Sequence, residues 1–404
     1  MPAFVFPGQG SQRPGMGRAW VDHASWELVR DASNVSDRDL EHLLLEAGEA
    51  ELTETRNAQL ATFTLSLVIL DAVERLGIEP TACAGHSVGE YTALVAAGTL
   101  GFEAGFAVVA ERGDAMQAAA DDEPGVMMMV AGSDAETVDI ACRLADGAVW
   151  LANDNSIGEV VIAGEREAVD RAGTMAIELG ARSLTPVTVG GAFHTPFMAP
   201  ARNRLQKALR ATTFHRPDVP VVANVDARAH SDAESWELLL TAQLTSPVRW
   251  RQVMMRLGGL YDGDAEAEEL FVELGPGSAL TRLASQSLPG ITAMSVSTPD
   301  DLDHLVRTMA GDTALHAFAS GHQGEHLYVS ERVVISPRAG IFELPAGPEG
   351  TALIPDAPVD VGTLLGTVSG TDVRSPFGGW LMGMLAQPDE RVQPGQPIAW
   401  LRAR

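Results

Sequence analysis

Two short segments of this 404-residue chain carry residue types and spacings that suit nucleophilic chemistry. In Gly85-His86-Ser87-Val88-Gly89 a serine stands between glycines, after an apolar run and before a small-residue helical pattern. This reads as a nucleophile elbow, a tight strand-to-helix turn on which a side chain at either glycine would collide with the strand or the helix. The turn pushes Ser87 Oγ outward. The N-terminus of the following helix offers free N–H groups and the positive end of its dipole to an oxyanion. A serine hydroxyl is a weak nucleophile and needs a base within hydrogen-bond reach. Gly191-Ala192-Phe193-His194-Thr195-Pro196 offers an imidazole, whose ordinary pKa suits the task, so Ser87 and His194 form a candidate dyad.

A scaffold must bring these segments together. Ala3-Phe4-Val5-Phe6 predicts a short buried strand ending at Pro7-Gly8, followed by a polar, glycine-rich loop, Gly8 to Gln12, that can reach a site. Residues 57–76 carry a helical apolar pattern, Thr81–Gly85 predicts the strand running into Ser87, and Tyr91–Ala97 the helix behind it. Between Gly125 and Val189 the order β-α-β-β-α-β predicts a compact ferredoxin-like insertion. Beyond Phe193 the α/β character resumes: a helix near Met198–Leu209, a strand over Val219–Asn224, helices around Trp236–Leu257 and a strand at Leu270–Leu274. Periodicity is lost from Met309 to about Val329, which reads as a linker.

The last segment echoes itself. Ser336-Pro337-Arg338-Ala339-Gly340 resembles Ser375-Pro376-Phe377-Gly378-Gly379, and Val359-Asp360-Val361-Gly362 resembles Val392-Gln393-Pro394-Gly395. Short strands between such turns predict a small all-β module of two similar halves, with a final strand at Pro397–Arg402. The expected fold is therefore α/β: a central, mainly parallel sheet with an α/β-hydrolase-like elbow, an inserted ferredoxin-like α+β subdomain and a C-terminal all-β module. The expected boundaries are 1–123 with 194–310, then 124–193 for the insertion, 311–329 for the linker and 330–404 for the module.

The formal charge of −26 argues against nonspecific binding to nucleic acid or anionic membranes. No apolar run approaches the roughly 20 residues of a spanning helix, and the N-terminus lacks a basic region with a long hydrophobic core, so a cytoplasmic location is expected. Cys83 and Cys142 are the two cysteines; they read as buried small hydrophobes rather than a disulfide or a metal cage.

Six ordered segments resemble one family: FPGQGSQ near the N-terminus, GHSVGEYTALVAAG at the elbow, ERGDAMQ from Glu111, GAFHTPFM from Gly191, QLTSPVRW from Gln243 and ELGPGSALT from Glu273. Over about residues 1–310 the chain resembles malonyl-CoA:acyl carrier protein transacylases and the related acyltransferase domains of polyketide synthases. The resemblance implies that Ser87 attacks a thioester and becomes a malonyl ester, with His194 as base and then acid. It implies an oxyanion hole from the N–H groups of Gln9 and Val88, and Arg112 as the receptor for the acyl carboxylate, which a planar guanidinium can hold through both oxygens. It also implies that His194 is oriented by a carbonyl near Gln243, and that Asn155 lines the site. Val88 in place of glutamine, and Phe193 before His194, favour malonyl over methylmalonyl. The implied partners are malonyl-CoA and an acyl carrier protein, with coenzyme A thioester as substrate and no metal or other cofactor.

The chain departs from relatives at Asn155-Ser156-Ile157-Gly158-Glu159, where Glu159 puts an acid in place of a neutral amide. Facing the pocket, it would repel malonyl or pair with Arg112. An acidic carrier protein also needs a local basic surface, for which Arg202, Arg204, Lys207 and Arg210 are the candidates. His316, His322 and His326 lie close together with Glu325, but Gly321 and Gly324 disfavour a helix that would align them as metal ligands. The C-terminal module resembles biotinyl and lipoyl carrier domains, yet no lysine occurs from Tyr328 onward, which leaves a docking or self-association role. Two alternative functions follow: a hydrolase that edits acyl carriers with the same dyad, or an assembly protein acting through the C-terminal module.

Overall fold

Pro2–Phe6, five successive buried residues, form the first strand, β1; such a run is stable as a strand only with both faces covered. The computed structural model describes residues 2–259, 270–288, 290–310, 331–345, 357–360, 362–375, 379–388, 390–393 and 396–403. The chain divides into two compact units, Met1–Leu315 and His316–Arg404. After β1 the first unit contains β2 (Ala82–Gly85), β3 (Val126–Ala131), β4 (Val149–Ser156), β5 (Glu159–Gly164), β6 (Ser183–Val187), β7 (Val221–Val222), β8 (Ala229–His230), β9 (Leu270–Leu274) and β10 (Thr292–Val296).

Six of these make the main sheet in the order β10-β9-β1-β2-β7-β8, parallel as far as β7, with β8 antiparallel to it. Phe6 of β1 is in register with Gly85 of β2, so the loops leaving their carboxyl ends open side by side. Open parallel sheets bind ligands at such ends. Ala3, Val5, Ala82 and Ala84 pack with Trp250, Val253, Leu257 and Leu280 in one core cluster. The helix Gly89–Ala96 packs on β1 and β2, and the helix Thr55–Glu74 packs on it and on Phe102–Asp122. Every residue from Ala58 to Val73 is buried, as a helix surrounded by others must be. The strand expected over Val219–Asn224 shrinks to Val221–Val222: Pro220 has no N–H to give, and Ala223 turns away to donate to Arg228 O.

The insertion has strand order β4-β5-β3-β6 with every neighbouring pair antiparallel. Its helices, Ala135–Leu144 and Arg166–Glu178, bury Val138, Ala141, Val169 and Ala172 against Val130, Val160 and Ile162. This is the ferredoxin-like arrangement that the residue pattern predicts.

The second unit contains β11 (Glu331–Ile335), β12 (Gly340–Glu343), β13 (Pro358–Val359), β14 (Leu364–Val368), β15 (Thr371–Arg374), β16 (Gly379–Met384), β17 (Arg391–Val392) and β18 (Pro397–Ala403). Its sheets have the orders β11-β18-β16-β13 and β15-β14-β12-β17. Moving each label by four turns one order into the other, so the sequence echo is an internal structural repeat. Ser336 and Ser375, which open the repeated turns, are both buried. The expected linker 311–329, with His316, His322, Glu325 and His326, lies outside the described residues, as do Val361, Pro376, Phe377, Gly378, Pro394 and Gly395 of the repeated turns.

Candidate active site

The elbow is enforced by sterics. A Cβ on Gly85 would lie 1.9 Å from the backbone of Gly89, and one on Gly89 would lie 2.2 Å from Phe6 O. Between them Ser87 is left-handed, with φ of 54°. His194 is left-handed too, with φ of 60°. Such conformations in side-chain-bearing residues cost about 1–3 kcal/mol each and persist only where surrounding structure imposes them. Here both fall on the residues singled out for chemistry.

Ser87 Oγ lies 2.8 Å from His194 Nε2, and His194 Nδ1 lies 2.9 Å from the main-chain oxygen of Gln243. A carbonyl only accepts, so Nδ1 carries the hydrogen and Nε2 is left to accept from the serine hydroxyl. Burial, then the Arg112 charge, push the imidazole pKa down to about 3, so it is neutral at neutral pH and free to take a proton.

Arg112 comes from the helix Phe102–Asp122 and is buried. Its Nη2 donates to Ser87 Oγ at 3.1 Å and to Gln243 Oε1 at 2.8 Å, and its Nη1 donates to Gln59 Oε1 at 2.6 Å. The Tyr91 ring lies 5.5 Å from the guanidinium carbon. These hydrogen-bond acceptors are neutral oxygens, and Nε is buried without one. Burial lowers the guanidinium pKa from an ordinary value so high that it stays charged. A buried cation whose bonded partners are all neutral favours an incoming anion.

The other expected residues lie on segments that adjoin the elbow or His194. Gln9 lies in the loop after β1, and that loop packs on the elbow so closely that a Cβ on Gly8 would lie 2.5 Å from His86 O. Val88 stands at the N-terminus of the helix Gly89–Ala96. Asn155, at the end of β4, accepts from His86 Nε2 at 3.0 Å. Phe193 is buried, with its ring edge 3.2 Å from where a Gly191 Cβ would lie.

Glu159 does not pair with Arg112. It receives a hydrogen bond from Asn155 Nδ2 at 3.2 Å and an ion pair from Arg282 Nη1 at 2.8 Å, because the β4–β5 turn carries it to the helix Ala279–Ser287. On the helix Ala199–Arg210, Arg204 is paired with Glu111 and Arg210 with Glu237, so two of the four expected basic residues are already balanced.

Residue patterns missed three buried participants: Gln59, Glu90 and Asn224. Asn224 Oδ1 accepts from the Ser87 N–H at 2.8 Å, and its Nδ2 donates to Gly85 O at 2.7 Å. Glu90 accepts from Asn224 N at 2.7 Å and from Gln243 Nε2. The available signal was a polar side chain inside an apolar element, at Gln59 and Glu90, or ending an apolar strand, at Asn224. Among the described residues no helix is long and apolar enough to cross a membrane, and no group of three His, Cys, Asp or Glu is placed to hold a metal.

The family model described as the acyl transferase domain matches residues 3–316. The malonyl CoA-acyl carrier protein transacylase of Bacillus subtilis (strain 168) is 36% identical over 312 residues, covering 76% of this chain and 96% of its own. That of Escherichia coli (strain K12) is 36% identical over 304 residues, covering 74% and 96%. A crystal structure of an acyl carrier protein S-malonyltransferase from Vibrio cholerae has a TM-score of 0.71 at 35% identity, covering 75% of this chain and 99% of that one. A malonyl-transacylase in complex with its type II PKS acyl-carrier protein also scores 0.71, at 36% identity, covering 76% and 99%. This chain belongs to the acyl transferase family.

Proposed function

We propose that this protein transfers a malonyl group from malonyl-CoA to the phosphopantetheine thiol of an acyl carrier protein, in fatty acid or polyketide synthesis. The observation that carries the reading is the buried Arg112 guanidinium, held 3.1 Å from the Ser87 hydroxyl by neutral partners. An acyl group on Ser87 with a carboxylate at its far end reaches that cation; an uncharged acyl group leaves it with neutral hydrogen-bond partners only. The names of the relatives point to the same donor and acceptor.

Ser87 Oγ attacks the thioester carbonyl while His194 Nε2 takes the hydroxyl proton. The oxyanion is met by the N–H groups of Gln9 and Val88, each contributing about 3 kcal/mol to the barrier reduction. Collapse breaks the C–S bond, and His194 returns the proton to the coenzyme A sulfur. The carrier thiol then gives its proton to His194 and attacks the malonyl ester; the C–Oγ bond breaks, and His194 returns the proton to Ser87 Oγ. Gln243 O keeps the histidine tautomer, Asn155 lines the pocket through His86, and Phe193 narrows the space beside the acyl α-carbon. Coenzyme A enters as part of the substrate, and the reading uses no metal.

In this reading residues 1–123 and 194–310 are the large subdomain, 124–193 the small one, 311–329 a linker and 330–404 a module for docking or self-association. The protein works in the cytoplasm. Arg202 and Lys207 are the cations of the Ala199–Arg210 helix left for carrier docking.

The test compares acceptors. After loading with malonyl-CoA, acyl release is timed with holo carrier protein and with water. Release roughly 100-fold or more faster to the carrier supports transfer, and equal rates would make the protein a hydrolase.

A further inference from the structure

Glu90 is buried on the first turn of the elbow helix, yet the reaction described above gives it no task. Its two oxygens face two donors. Oε1 accepts from the main-chain N–H of Asn224 at 2.7 Å, and Oε2 accepts from Gln243 Nε2. Asn224 in turn spans the elbow, taking the Ser87 N–H and donating to Gly85 O. Gln243 Nε2 also donates to Ser87 O at 2.9 Å, its Oε1 receives Arg112, and its main-chain oxygen receives His194 Nδ1. The Arg112 donor fixes which end of the Gln243 amide is oxygen, so Nε2 must face the serine carbonyl and the Glu90 carboxylate.

We propose that Glu90 is a positioning residue for the transfer reaction: its carboxylate holds Asn224 and Gln243 at a fixed separation, and through them sets the Ser87 backbone and the His194 ring. The proposal rests on the malonyl-transfer reading. It requires the ionised form. Protonation puts a hydrogen on one of the two accepting oxygens and removes the charge that strengthens both bonds, so the hold on Asn224 and Gln243 weakens.

Around Glu90 the charged and titratable groups are Arg112 from the helix Phe102–Asp122, Asp226 from the turn after β7 and the neighbouring Tyr91. Burial outweighs the Asn224 and Gln243 hydrogen bonds and the Arg112 charge, raising the carboxyl pKa to about 7. Acylation therefore falls as the pH drops through about 7, because Glu90 takes up a proton. His194, pushed down to about 3, does not account for a fall in that range.

The test measures the rate of Ser87 acylation by malonyl-CoA as a function of pH in wild type and Glu90→Gln, with circular dichroism to confirm folding. Expected for Glu90→Gln is a maximal rate lower by roughly tenfold or more, half-saturation within about threefold of wild type, and no acid limb near pH 7. A folded variant with the wild-type rate and acid limb overturns the proposal, whatever its melting temperature. Where Glu90→Gln is insoluble, Asn224→Ser removes the amide that spans Gly85 and Ser87, and a wild-type acylation rate in it is equally fatal. A wild type that takes no acyl group from malonyl-CoA defeats the malonyl-transfer reading instead; a loading wild type beside an unimpaired variant defeats only the role of Glu90.

Discussion

The two units of this chain bury different things. Met1–Leu315 holds charged and amide side chains at full burial: Glu90, Arg112, Asn224 and Gln243 meet around one serine and one histidine. In the described residues of His316–Arg404 the buried side chains are apolar except for Ser336 and Ser375, and those two occupy equivalent places in an internal repeat. Burying a polar group costs free energy unless it is bonded, so a cluster of bonded, buried charges in one unit marks where structure has been shaped by chemistry. The other unit is shaped by folding: Phe342, Val359, Leu381, Val392 and Ile398 close a core between two interchangeable sheets.

That contrast can be broken by experiment. The largest effect belongs to the dyad: Ser87→Ala, and His194→Ala beside it, should each cut malonyl transfer by about 10⁴-fold or more, measured by radiolabel on the carrier. An active Ser87→Ala would place the chemistry elsewhere. Next is Arg112→Ala, expected to lower kcat/KM for malonyl-CoA roughly 100-fold while narrowing the preference over acetyl-CoA, since a charge-assisted bond contributes about 1.5–3 kcal/mol. Unchanged preference would remove the guanidinium from acyl recognition.

Smaller effects sharpen the picture. Arg202→Glu with Lys207→Glu should raise the apparent KM for the carrier several-fold (about 3- to 10-fold) and leave malonyl-CoA loading intact. Equal loss in both half-reactions contradicts docking on that helix. Glu159→Gln should change kcat/KM by less than about fivefold, because its partner Arg282 is half exposed and such pairs contribute at most about 1 kcal/mol. Smallest of all is truncation at residue 325: transfer should stay within about twofold, and any loss should appear in assembly on a sizing column. Lost transfer would tie the module to the chemistry.

Much of this was legible in the residues. GHSVG specifies its own geometry, because two glycines with backbone at 1.9 and 2.2 Å of a missing Cβ admit no other residue. The ferredoxin-like insertion was legible because its alternating strands and amphipathic helices each have one buried face. The main-sheet strand expected over Val219–Asn224 was overestimated, since Pro220 has no N–H and the Asn224 N–H goes to Glu90 rather than to the ladder. Glu159 could not be placed from its neighbours in sequence: its partner, Arg282, lies 123 positions away. Asn224 and Glu90 stand out as polar residues in apolar surroundings, but their roles were illegible for the same reason, since the partners are brought in by the fold.

The most direct measurement is intact mass after mixing with malonyl-CoA, for wild type and for Ser87→Ala. Wild type should gain the mass of one malonyl group, with the adduct mapped to Ser87, and the variant should gain nothing. A wild type of unchanged mass, or a variant that gains the same mass, would contradict it.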